Sequence, residues 1–182
     1  MSSKPRSPVI VQAGPAELRF EWHGDRWRHV VIPLTGASAA WQSQEGPVSA
    51  AGDPRWPLSP VFVELNRLGA AAASPVMAIG LAGRSHYSAV VTPDPDIPGV
   101  FRFEVATRLH EAPTGLGSTY LSSSTGQSIR VEPADPPGGP LPRTVQWTYR
   151  VGPAGVEPLA GARVTEITQP GGPSPPDDMM LA

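Results

Sequence analysis

The chain has 182 residues, a net charge of −2, an apolar fraction of 40% and a charged fraction of 16%, which fits a single domain long enough to bury a core. Its 24 prolines and 19 glycines interrupt almost every stretch that a long helix would need. Cysteine is absent, which excludes disulfides, thiolate zinc sites and a cysteine nucleophile, and Lys4 with scattered arginines forms no positive stripe for a phosphate backbone.

Residues 1–7 read as a disordered start, and 8–12 as a short edge strand. Only Val9-Ile10-Val11 is apolar here, too little for a signal-peptide core, and no stretch reaches transmembrane length. The expectation is a cytoplasmic protein without membrane or nucleic-acid partners. Residues 17–34 (ELRFEWHGDRWRHVVIPL) are the clearest element, a hairpin. Leu18, Phe20 and Trp22 alternate with polar residues at the period of a half-buried strand. Gly24-Asp25 suits a two-residue type II′ turn, which sets Trp22 against Trp27, Glu21 against Arg28 and Phe20 against His29. A short strand at 39–45 carries Trp41, and the long Pro-rich loop at 46–60 is anchored by Trp56.

Strands follow at 61–68, 76–81 and 86–92, the last two joined by Gly83-Arg84-Ser85 as a second hairpin. Residues 100–109 (VFRFEVATRL) place Phe101, Phe103, Val105 and Leu109 inward and Arg102, Glu104 and Arg108 outward. Short strands at 118–122 and 128–132 flank a Ser-rich turn. Residues 133–142 have too few backbone donors for a sheet interior. Residues 143–151 set Val145, Trp147, Tyr149 and Val151 on one face, and 163–168 closes the fold. The Pro/Gly-rich tail at 169–182 reads as disordered. The sum is an all-β domain over 8–168: an antiparallel β-barrel, or a strongly bent β-sandwich, of about ten short strands joined by Pro/Gly-rich loops.

Few residues carry a chemical signal. The four histidines have neither metal-ligand spacing nor thiolate neighbours, so no metal and no cofactor are expected. His29, on the apolar face beside Phe20, is either a hydrogen-bonded core residue or a contact to a ligand in a cavity. Ser85 and His86 point to opposite faces of a strand, which argues against a nucleophile and its base, and no nucleophile elbow is present. Gly115-Leu116-Gly117-Ser118-Thr119 lacks the lysine and the helix of a phosphate cradle. Trp41 and Trp56 are either stacking platforms or core plugs.

Three segments in this order, Trp56-Pro57-Leu58-Ser59-Pro60, Gly83-Arg84-Ser85-His86-Tyr87-Ser88 and Leu116-Gly117-Ser118-Thr119-Tyr120, are carried by a group of proteins that the chain resembles over about residues 18–121. It resembles a family of small uncharacterised bacterial all-β proteins. That family has no assigned activity, so the resemblance transfers no catalytic residue; it implies that the three segments meet in space. The expected function is therefore a non-enzymatic β module that binds a small-molecule ligand or a protein partner through loops at one end. Its candidate binding residues are His29, Trp56, Arg84, Ser85, His86, Tyr87, Ser118 and Tyr120. The alternatives are a hydrolase or isomerase using His86 with a carboxylate such as Glu104, and a structural protein-interaction domain.

Overall fold

The structure is a computed structural model and describes residues 6–35, 40–44, 56, 58–135 and 138–167. The tail at 169–182, residues 1–5 of the start and most of the loop at 46–60 lie outside them. Alternating apolar and polar residues produce strands throughout: β1 (Val9–Ala13), β2 (Ala16–His23), β3 (Arg26–Pro33), β4 (Trp41–Gln44), β5 (Val61–Arg67), β6 (Val76–Ala82) and β7 (Ser85–Pro93). They continue as β8 (Phe101–Leu109), β9 (Ser118–Ser122), β10 (Ser128–Pro133), β11 (Arg143–Gly152), β12 (Gly155–Pro158) and β13 (Ala162–Ile167). The antiparallel all-β barrel expected from the sequence is the observed architecture, and every pairing is antiparallel.

Eleven strands follow one path, β12-β11-β8-β7-β6-β5-β3-β4-β9-β10-β13, and the two ends approach each other. The segment between β12 and β13 draws them together. Thr148 of β11 donates to Ala160 and accepts from Leu159, while the Ala134 amide after β10 donates to the Gly161 carbonyl. A nearly closed sheet of this kind hides most of its edge groups, which is what a barrel achieves.

β3 is the branch point. One edge pairs along its length with β2. The other edge is shared, Trp27 facing Phe62 of β5 while Val30 and Val31 face Gln42 and Trp41 of β4. β1 and β2 therefore lie off the main path. They still contribute Val11, Ala16, Leu18 and Phe20 to the buried core. The expected register of the first hairpin is the observed one, with Trp22 against Trp27, Glu21 against Arg28 and Phe20 against His29. Gly24 has φ +68° while Asp25, like every other non-glycine residue among those described, does not have positive φ, the pattern of a type II′ turn.

β5 carries a bulge between Phe62 and Glu64, which bends the wall and increases its twist. Gly80 opposite it is forced by proximity, since a Cβ there would sit 2.1 Å from the Val61 carbonyl oxygen. Inside the barrel, Phe101, Phe103, Trp147, Tyr149 and Tyr120 fill the core with Val31, Val91 and Leu109.

Candidate functional site

Two groups of polar residues stand out from this apolar frame. The first lies inside. β3 points His29 inward between Phe20 and Phe103, with ring centroids 5.4 and 5.2 Å away. Its backbone amide donates to Ser43 Oγ at 3.0 Å. Its Nε2 is 2.9 Å from the Tyr120 hydroxyl, which is in turn 2.9 Å from the Tyr149 hydroxyl. Phe103 stacks on Tyr149 at 5.0 Å with an interplanar angle of 8°. Nδ1 of His29 is buried without a partner. A bare lone pair is the cheaper group to leave unpaired, so the proton sits on Nε2 and is donated to Tyr120. Tyr120 then donates to Tyr149, whose hydroxyl is held by Ser118.

Burial sets the protonation of this chain. Desolvation lowers the His29 pKa to about 3 and raises that of Tyr149 to about 12, and desolvation together with the neighbouring Tyr149 raises that of Tyr120 well above its ordinary value. All three groups are neutral at physiological pH, and His29 cannot act as a base there. The network satisfies polar groups within the core and fixes how three walls of the barrel meet.

The second group lies at the start of β9. Arg130 and Thr119 form a directly opposed pair, on the face of the β9–β10 ribbon away from Tyr120 and Ile129. Both are buried nonetheless, because residues 58–59 lie over them. Arg130 Nη1 donates to the Leu58 carbonyl and to Thr119 Oγ1, each at 3.2 Å. Thr119 Oγ1 donates to the Leu58 carbonyl at 2.7 Å, and the Thr119 amide donates to Ser59 Oγ at 2.9 Å. Glu132 stands 3.5 Å from Arg130 Nε and pairs with Arg163 at 2.8 Å. Desolvation lowers the Arg130 pKa and the Glu132 charge opposes that shift. Trp56 is buried against Gly115, and the backbone of Gly117 bonds the buried Tyr87 hydroxyl. Tyr87 thus meets Gly117, and residues 58–59 meet Thr119. A surface cleft of about 170 Å³ opens there between residues 113–116 and Glu132, Pro133 and Arg163.

The expected binding residues divide by face. His29, Trp56, Ser85, Tyr87, Ser118 and Tyr120 are buried, whereas Arg84 and His86 are exposed. Ser85 Oγ accepts the His110 amide at 3.2 Å from inside the wall, while His86 points outward with its ring 5.8 Å from His110. In the β7–β8 register His86 faces Arg108 and Glu104 faces Val90. Four residues along a strand separate them, roughly 13 Å, which is beyond direct proton transfer. Trp41 is a core residue. Among the described residues no group of three or more His, Asp or Glu is placed to hold a metal ion, and no helix is long and apolar enough to cross a membrane.

Sequence reasoning missed Arg130, and it named the segments holding Leu58, Ser59 and Thr119 without giving those residues a role. One signal was present: Arg130 sits between Ile129 and Val131, and its face alternates with theirs. An outward arginine on a strand reads as solvated unless the covering segment is known. No protein-family model matches the chain, and neither does any curated protein or solved structure.

Proposed function

We propose that the chain is a non-catalytic recognition domain, and that it binds a small carboxylate-bearing ligand in the cleft beside Arg130. The reading rests on one observation: an open cleft lined by Gly115, Glu132 and Arg163 adjoins a buried guanidinium, Arg130, which stands 3.5 Å from the lining residue Glu132 and is held in place by Leu58 and Thr119. Arg163 adds a second, more exposed guanidinium on the rim. Guanidinium groups pair with carboxylates in a geometry that ammonium groups cannot match. Glu132 offsets part of the positive charge, which favours a ligand of low charge over a polyphosphate.

Recognition is preferred to chemistry because of where the titratable groups stand. The imidazole inside the barrel is held neutral, and the exposed His86 lies far from Glu104. Loops fixed on a rigid sheet are also the usual place for recognition.

The test is mass spectrometry of the protein purified from its own host, under native and then denaturing conditions. A discrete added mass lost on denaturation is expected, and it should be depleted in the Arg163→Ala variant, whose side chain is exposed. A bare chain mass under native conditions would overturn the reading.

A further inference from the structure

A second aromatic feature lies away from the Arg130 cleft and needs its own account. Trp22 and Trp27 face each other across the first hairpin, edge to face, with ring centroids 5.3 Å apart and an interplanar angle of 70°. Over them sits Arg6. Its guanidinium carbon is 3.8 Å from the centre of the Trp22 ring and 5.9 Å from that of Trp27. Nη1 of Arg6 reaches the Val63 carbonyl at 3.5 Å. Val63 belongs to the β5 bulge and has no partner in the β6 register. The indole N–H groups of both tryptophans are buried and unpaired.

We infer that the Trp22–Trp27 pair, with the Val63 carbonyl, is a guanidinium-binding site that Arg6 occupies in cis, and that it takes an arginine side chain of a partner protein when Arg6 is withdrawn. Three features support this. A weakly hydrated cation whose central carbon lies 3.8 Å over a ring centre is well within cation–π range. The bulge frees a carbonyl at the rim of the rings, giving the cation one directional acceptor besides the π faces. Arg6 lies outside the strands, before β1, so it can leave without breaking any pair of the β1–β2 ladder. A tethered arginine competes at high effective concentration, so an external one binds visibly only when the tethered one is removed.

The probe is methylguanidinium chloride, kept below denaturing concentration, against methylammonium chloride at the same ionic strength. The readout is the indole N–H resonances of the five tryptophans in a ¹H–¹⁵N spectrum. In the native chain the Trp22 and Trp27 signals should hardly move. In Arg6→Ala they should shift saturably with methylguanidinium and much less with methylammonium, and Arg6→Gln should behave the same way. Adding Trp22→Leu to Arg6→Ala should weaken binding about five-fold, as read at Trp27. Equal shifts in the native chain and both variants, no saturable shift in either variant, or an equal response to the two cations would overturn the inference.

Discussion

His29 is the residue whose burial has the clearest measurable cost. Its pKa is about 6.5 in an unfolded chain and about 3 in the barrel. Between those values the unfolded state binds the extra proton, so stability falls as pH drops through 6.5 and levels off only below 3. The contribution to the slope approaches about 1.4 kcal/mol per pH unit inside that window. Urea denaturation between pH 5 and 7 should therefore give a steeper acid loss for the native chain than for His29→Phe. Equal slopes would mean that the imidazole is hydrated. The sequence was legible here up to a point. Alternation and the turn placed His29 inward beside Phe20. Its partner Tyr120 lies 91 positions away, and no local pattern reveals a contact at that range. Arg130 was missed for the related reason that its cover comes from a distant loop.

At the scale of elements, legibility followed locality. β2 and β3 were readable in register because Gly24-Asp25 defines the turn and the flanking alternation is clean. β12 was not read as a strand, because four residues bounded by Pro153 and Pro158 resemble a turn. The bulge in β5 was also invisible, since Val61–Arg67 alternates like any regular strand. Gly80 tests that bulge. A Cβ at 2.1 Å from a backbone oxygen cannot be accommodated by a rotamer change, so the wall itself must shift. Gly80→Ala should lower the unfolding free energy by more than about 2 kcal/mol in urea titrations. A neutral result would mean that β5 and β6 lie farther apart than described.

For the whole molecule, the all-β class was legible from short strands joined by turns, and a meandering order favoured a barrel or a bent sandwich, but the actual strand order departs from a meander. β8 pairs with β11, and β4 with β9, across long intervening stretches. Such pairings close large loops before they are rewarded. Refolding followed by stopped-flow tryptophan fluorescence should accordingly take milliseconds to seconds, and a microsecond main phase would show that these pairings do not limit the rate. The fork at β3 has a different consequence. β4 and β5 are consecutive in the chain and share one edge of β3, each tied to it by only one or two residue pairs. The first three strands are thus a flap hung from the wall along that one shared edge. Its inner surface of Val11, Leu18, Phe20 and Val31 is core, so hydrophobic burial rather than chain connection holds it in place. A chain cut after Leu34 should therefore hold together as two pieces that co-elute in size-exclusion chromatography, and separate elution would show that the covalent link is needed.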